Sequence, residues 1–139
     1  MAPSTTKKLI FTPDAIPAMP VFCEFSLEAF DEAENNRDIA QAAVSNGVVY
    51  VSGNIGCTND FKVVEGGIKA QTRRALENVS VVLKAAGSGM EHIIKANIYL
   101  TDMSDFRAMN EVYAEFFDPD NMPARTCVQV VALPLAGAV

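Results

Sequence analysis

Residues 68–86 read IKAQTRRALENVSVVLKAA and give the strongest fold signal in the chain. Apolar side chains recur there every three or four positions, with charged residues mostly between them, and this period predicts an amphipathic α-helix. Gly87 follows directly and predicts a C-terminal cap, because glycine readily adopts the left-handed conformation that ends many helices. The predicted apolar face comprises Ile68, Thr72, Ala75, Leu76, Val79, Val82, Leu83 and Ala86.

Upstream of this helix, the sequence is typical of β-structure. Asn46-Gly47 lies between two apolar runs and predicts a hairpin, because both turn residues must tolerate positive φ. The run that follows, Val48–Ser52, is β-branched and continuous, which predicts a central strand. Leu9–Phe11 predicts a short first strand, and the spacing of apolar residues over 21–36 predicts a short amphipathic helix.

Downstream of the helix, residues 93–100 and 126–133 predict two more strands. Between them, Thr101–Ser104 offers an N-cap for a second helix, and Asp118-Pro119 ends it. The order of strands and helices predicts an α+β or mixed α/β domain, with two long helices that could cover one sheet face. The face of the second helix comprises Phe106, Met109, Asn110, Tyr113 and Phe117.

The length and composition exclude several classes of protein. A chain of 139 residues suffices for one core, so we expect a single domain over 1–139. Half of the residues are hydrophobic, which argues against disorder, and no apolar run approaches the roughly 18 residues of a membrane span. The N-terminal residues are not typical of a signal or transit peptide, so the expected compartment is cytoplasmic, with a mitochondrial location as the less favoured alternative.

The net charge and the cysteine and histidine content disfavour two further classes of function. A net charge of −6 disfavours nucleic-acid binding, and residues 21–37 carry five acids and one base, a net −4 of that total. Three cysteines without a CxxC pair and a single histidine predict neither a disulfide framework nor a metal site.

The most informative polar residue is Arg125, in the run Pro123-Ala-Arg-Thr-Cys127. An arginine at the start of an apolar strand is costly to desolvate unless it meets an anion, and its planar fork suits a carboxylate. A surface arginine paired with one of the many acids is the simpler alternative.

Three further side chains are candidates for the same site. Asn110 lies on the aromatic side of its helix, where a buried amide binds either backbone or a ligand. Cys127 is either a small buried hydrophobe or a nucleophile, and Phe106 is by default part of the core.

Taken together, these segments resemble the RidA/YjgF/UK114 family, the reactive-intermediate deaminases that are also called L-PSP endoribonucleases. The similarity covers about residues 41–134, and its most specific motif is P-A-R-x-C-V-x-V. The matching segments are Val49–Gly56, Glu65–Asn78, Lys84–Ser88, Tyr99–Phe106, Asn110–Phe117 and Pro123–Val130.

The resemblance implies a chorismate-mutase-like fold, a mixed β-sheet with two long helices on one face. It also implies a homotrimer with clefts between subunits. The implied activity is hydrolysis of 2-imino acids or their enamine tautomers to 2-keto acids and ammonia, with no cofactor.

The same resemblance implies the site residues. Arg125 would hold the substrate carboxylate, and Cys127 would line the cleft beside it. Phe106 and Asn110 would join from the second helix, within one subunit or across the trimer interface, and Arg125, Asn110 and Cys127 are the candidate catalytic residues. A wall of the cleft would be formed by Ser52, Gly53 and Ile55.

Two positions differ from the family pattern. Ile39 stands where the family carries a cleft tyrosine, or else Pro20-Val21-Phe22 is the displaced start of that segment. A last strand with a glutamate that would activate water is not found after Leu133-Pro134. We therefore expect the fold and the trimer to be kept, and imine hydrolysis to be weakened or lost. The alternatives are an L-PSP-type ribonuclease or translation inhibitor, and a small-carboxylate-binding or interaction protein.

Overall fold

The computed structural model of the protein describes residues 7–16 and 40–139. The helix predicted over 21–36, the acidic segment that contains it and Ile39 lie outside the described residues. The described elements are β1 (Lys8–Ile10), β2 (Ala42–Ser45), β3 (Val48–Val51), α1 (Gly67–Ala85), β4 (Lys95–Leu100), α2 (Phe106–Ala114) and β5 (Ala124–Gln129).

The first three strands form an antiparallel sheet in the order β1-β2-β3. The predicted hairpin joins β2 to β3, and its turn residues Asn46 and Gly47 both have positive φ, 51° and 76°. In the described part of the chain β3 pairs only with β2, so the prediction that Val48–Ser52 is a central strand is wrong within this sheet. The run is β-branched because one of its faces packs on the core, where Val49 and Val51 lie.

The last two strands form a separate parallel pair, β4-β5, connected through α2. The α+β class is confirmed, but the described strands make two hydrogen-bonded sheets, where one mixed sheet was expected. The strand predicted over 126–133 lies at Ala124–Gln129, so Arg125 is inside it and not before it. β5 cannot continue along β4 because β4 ends at Leu100, whose carbonyl accepts the last bond, from Val130 N–H.

The helix α1 begins and ends within one residue of its prediction. The predicted cap at Gly87 is confirmed as a Schellman motif: Gly87 N–H donates to the Lys84 carbonyl and Ser88 N–H donates to the Leu83 carbonyl. The second helix, predicted to be long, has only nine residues. It tightens after Ala114, where Phe116 N–H bonds to the Tyr113 carbonyl three residues back.

The helices pack against each other and connect two apolar clusters. Val82 of α1 joins the cluster under the three-stranded sheet, whereas Ile68 and Leu76 pack against the cluster between α2 and the β4-β5 pair. The buried members of this second cluster are Leu100, Met109, Tyr113 and Phe117.

Buried amides fix the loop that follows β3. Asn78 of α1 donates from Nδ2 to the carbonyls of Ile55 and Cys57, both over 3.1 Å. Gly56 lies directly against the backbone of Gln71, where a Cβ atom would come within 2.3 Å of the Gln71 carbonyl oxygen. The position of the loop is therefore set by polar contacts to α1 as well as by apolar packing.

Candidate active site around Arg125

Two neighbouring elements bring Arg125 and Asn110 together. Side chains alternate along β5, so that Arg125 and Cys127 are half-buried while Ala124 and Thr126 are exposed. Asn110 comes from the middle of α2, and its Oδ1 accepts a hydrogen bond from Arg125 Nη1 over 2.5 Å. Sequence reasoning left Asn110 either backbone-bonded or facing a site; in the structure its amide oxygen binds the arginine.

Two aromatic rings complete the surroundings of the guanidinium. The Arg125 Cζ atom lies 4.8 Å from the centroid of the Tyr113 ring and 5.7 Å from that of Phe106. Both distances lie in the range where a cation is attracted to a ring face. A single chain thus brings Phe106 and Asn110 to Arg125, so this contact requires no second copy of the chain.

An open cavity of about 350 Å³ borders the arginine. No carboxylate of the described residues forms an ion pair with Arg125, although Arg73, Arg74 and Arg107 each have one. The surface pairing considered as the simpler alternative is thus not observed in residues 7–16 and 40–139. The cavity is lined by Asn110, Tyr113, Ala114, Met122, Pro123 and Arg125.

Cys127 lies on the same side of β5 as Arg125 but packs against the apolar cluster of α2. It is not one of the residues that line the cavity. Burial raises the pKa of its thiol, and the opposing effect of the Arg125 charge is smaller. The thiol is therefore protonated at neutral pH, which disfavours a role as nucleophile.

The three residues predicted to form a wall of the cleft lie elsewhere in the chain, away from Arg125. Ser52 Oγ donates to the Ala40 carbonyl over 2.7 Å, Gly53 is exposed, and the Ile55 carbonyl accepts from Asn78. None of them lines the cavity next to Arg125. The structure therefore brings Phe106, Asn110 and Arg125 together. The three predicted wall residues lie apart from them.

Sequence reasoning missed Tyr113 as a site residue and treated it only as part of a helix face. Its position three residues after Asn110 was the available signal, because residues three apart share a helix face. Tyr113 is 2% exposed, and its hydroxyl has no hydrogen-bond partner among the described residues. Met122 and Pro123 were also missed, since nothing in the sequence relates the turn before β5 to the end of α2.

The described residues form neither a metal-binding cluster nor a membrane-spanning helix. Residues 7–16 and 40–139 contain no cluster of three or more His, Cys, Asp or Glu side chains that could hold a metal ion. Within those same ranges no helix is long and apolar enough to cross a membrane.

Comparison with known proteins gives consistent matches. Residues 33–139 match the family model described as Endoribonuclease L-PSP. RutC family protein UK114 of Drosophila melanogaster is 48% identical over 100 residues, which cover 71% of this chain and 72% of the relative.

Solved structures of the same kind superpose on nearly the whole chain. YyfA, a Rid family protein of Yersinia pestis, is 32% identical with a TM-score of 0.78, covering 96% of this chain and 93% of that one. Escherichia coli TdcF, solved with bound serine, is 32% identical with a TM-score of 0.72, covering 94% and 91%.

The fold and the site define a Rid-type α+β domain with an arginine beside its cavity. The chain belongs to the RidA/YjgF/UK114 family, whose sequence model carries the L-PSP endoribonuclease description. The predicted resemblance and the chorismate-mutase-like fold are thereby confirmed.

Proposed function

We propose that the protein hydrolyses small 2-imino acids, or their enamine tautomers, to 2-keto acids and ammonia, with Arg125 as the carboxylate receptor. The observation that carries the proposal is the environment of the Arg125 guanidinium. Its guanidinium lies beside an open cavity, is held by Asn110 and two rings, and forms no ion pair with a described carboxylate. A half-buried guanidinium in this situation favours an anionic ligand.

The geometry of the arginine supports two parallel hydrogen bonds to the ligand carboxylate. Among residues 7–16 and 40–139 the arginine donates only from Nη1, to Asn110, which leaves the N–H groups of Nη2 and Nε as a fork for a carboxylate. The Asn110 Nδ2 group has no protein acceptor in the described part of the chain and can donate to the ligand. A related protein, TdcF, has been solved with serine, whose carboxylate is of the kind proposed here.

The reaction depends more on the orientation of the substrate and the attacking water than on a strong nucleophile. An enamine first tautomerises to the imine; water then adds to the C=N carbon, the carbon–nitrogen bond breaks, and ammonia leaves as the carbonyl forms. The imine carbon is already electrophilic, so fixing the carboxylate and delivering water supply much of the needed effect. This requirement matches a site with one arginine and a few polar groups.

The proposed assembly is a homotrimer in which Ser52, Gly53 and Ile55 of a neighbouring subunit close the site. Exposed apolar side chains on the strands support such an assembly, since Tyr50 is 62% and Tyr99 is 52% exposed. Light scattering coupled to size-exclusion chromatography tests it, and a monomer at micromolar concentration would contradict it.

Activity can be tested with 2-iminobutanoate generated in situ by an amino acid oxidase. Semicarbazide traps the imine that has not been hydrolysed, so a deaminase lowers the rate of semicarbazone formation. We expect wild type to lower it, Arg125→Ala to have no effect, and Arg125→Lys to be weakly active, because a lysine cannot reproduce the fork. Arg107→Ala is the control, since Arg107 is an exposed arginine of α2 that pairs with Glu111 and does not line the cavity.

The result separates this proposal from a second candidate, the RNA cleavage that the family description names. Cleavage of a labelled RNA that survives Arg125→Ala, together with no effect on semicarbazone formation, would replace the deaminase by a nuclease. Binding of 2-oxobutanoate without imine hydrolysis would reduce the site to a carboxylate-binding one.

A further inference from the structure

The Tyr113 ring contacts the Arg125 guanidinium and is itself held by the apolar core. The Tyr113 ring is the nearer of the two rings to the guanidinium, at 4.8 Å against 5.7 Å for Phe106. Its centroid also lies 4.7 Å from that of Phe117, and it belongs to the buried cluster with Leu100 and Met109. Because its other neighbours are core residues, the ring is fixed in place, and the guanidinium rests on a rigid surface.

We propose that Tyr113 is a positioning residue whose ring, together with the Asn110 amide, sets the plane of the Arg125 guanidinium. The hydrogen bond to Asn110 fixes the direction of one N–H group, and the ring fixes the plane of the whole fork. With these two contacts in place, the remaining N–H groups of the guanidinium already have a fixed direction, and ligand binding does not have to order the arginine side chain. The consequence for ligand affinity rests on the proposed function, whereas the contact itself does not.

The ring and not the hydroxyl carries this role. The Tyr113 hydroxyl is buried and has no partner among the described residues, so it forms no hydrogen bond with Arg125. Burial raises the pKa of the phenol despite the nearby arginine charge, so the hydroxyl is neutral at physiological pH. The attraction therefore comes from the ring face and not from a phenolate charge.

A fixed guanidinium matters because arginine has many rotatable bonds. When ligand binding has to order a long side chain, the lost conformational entropy weakens the binding. A side chain that is already ordered in the free protein avoids this loss of entropy. Removing the ring should therefore weaken carboxylate binding more than it weakens the binding of a neutral analogue.

The first test needs no ligand. Rotation of the Arg125 guanidinium about the Nε–Cζ bond is measured by NMR in wild type, Tyr113→Phe, Tyr113→Leu and the control Phe117→Leu, with the signal assigned through Arg125→Lys. The control removes a neighbouring aromatic ring from the same cluster but no ring contact of Arg125. We expect slow rotation in wild type, Tyr113→Phe and Phe117→Leu, and rotation at least about fivefold faster in Tyr113→Leu.

Three results would overturn the proposal. Equal rotation in wild type and Tyr113→Leu would show that the ring does not hold the guanidinium. Equally fast rotation in Phe117→Leu would assign the effect to a loosened core. Fast rotation in Tyr113→Phe would transfer the role to the hydroxyl.

The second test measures ligand affinity with 2-oxobutanoate and, as the neutral control, 2-oxobutanamide. Tyr113→Leu should bind the carboxylate about tenfold more weakly, with Tyr113→Phe unchanged and the affinity for the amide little affected. An equal loss for both compounds would contradict a positioning role. If wild type does not bind 2-oxobutanoate, the proposed function fails, while guanidinium rotation still decides the role of Tyr113.

Discussion

Arg125 Nη1 donates a hydrogen bond to Asn110 Oδ1, and this 2.5 Å contact joins the parallel strand β5 to the helix α2 beside the cavity. The partner of the arginine is a neutral amide, so the positive charge is oriented without being neutralised. A carboxylate at position 110 would orient the guanidinium equally well but would also compete with the ligand for it.

Asn110→Asp should therefore preserve the fold and impair the site. A hydrogen bond between charged groups contributes about 1.5–3 kcal/mol, so we expect the Kd for 2-oxobutanoate to rise by about ten- to a hundredfold. Isothermal titration calorimetry measures this change. Asn59→Asp, which adds the same charge at an exposed loop position, is the control and should bind like wild type. Unchanged affinity in Asn110→Asp would show that Arg125 is not the carboxylate receptor.

The Cys127 thiol should be dispensable for chemistry and slow to react. Because burial raises its pKa above the ordinary 9.0, little thiolate exists at pH 7.5, and alkylation by iodoacetamide should accelerate only as pH rises beyond 9. Peptide mapping by mass spectrometry follows the labelling of Cys127 as a function of pH. Cys127→Ala should retain imine hydrolysis within about threefold. Rapid labelling at neutral pH, or loss of hydrolysis in Cys127→Ala, would restore the thiol as a catalytic group.

The raised thiol pKa also has a consequence for stability. Above pH 9 the unfolded chain releases the Cys127 proton more readily than the folded protein does, so the folded state binds more protons. The contribution of this thiol to the free energy of unfolding should therefore fall as pH rises through that range. Urea titrations between pH 8 and pH 10 should show a shallower decline in Cys127→Ala than in wild type, and identical slopes would contradict the assignment.

Local chemistry made part of the fold predictable from the sequence. The helix α1 follows from a strict apolar period and a glycine cap, and the turn at Asn46-Gly47 follows from two residues that tolerate positive φ. Where tertiary contacts decided the outcome, the predictions were wrong: β5 begins at Ala124 because Ala124 N–H bonds to the Ile94 carbonyl of the neighbouring segment.

The site was predictable only where a motif named its residues. Arg125, Asn110 and Phe106 carry family motifs, and the structure brings them together. The contact of Tyr113 with Arg125 depends on how α2 lies over β5, which no local pattern encodes. Buried Gln71 and Asn78 were likewise missed, because an amide on an apolar helix face looks polar in sequence while its backbone partners are distant in the chain.

Gly56 and Gly53 form a matched pair for testing the loop after β3. An added Cβ at Gly56 would overlap the backbone of Gln71, whereas a Cβ at Gly53 would have no atom of the described residues within 4 Å. We expect Gly56→Ala to lower the free energy of unfolding by about 2–4 kcal/mol and Gly53→Ala to change it by less than about 1 kcal/mol. Urea denaturation monitored by circular dichroism measures both. Similar stabilities of the two variants would show that α1 can move away from the loop.

Gln41 provides the last prediction, because its side chain holds the segment after β1 in place. Oε1 accepts from Thr12 N–H, and Nε2 lies within 3.3 Å of the carbonyls of Thr12, Ala15 and Ile16. Gln41 is 6% exposed, so removing its amide leaves buried backbone groups without partners. Gln41→Leu should therefore lower the free energy of unfolding by about 2–4 kcal/mol, despite the added apolar surface.

The matched control for this variant is Gln129→Leu, at an exposed position at the end of β5. Within the described part of the chain its amide accepts a single hydrogen bond, from Met103 N–H over 3.2 Å, so its loss should cost less than about 1 kcal/mol. Hydrogen exchange provides a local readout, since the Thr12 amide should lose protection in Gln41→Leu and keep it in the control. If Thr12 stays protected when Gln41 is replaced, the segment is held by the packing of Ile10 and Ala15, and the amide network is secondary.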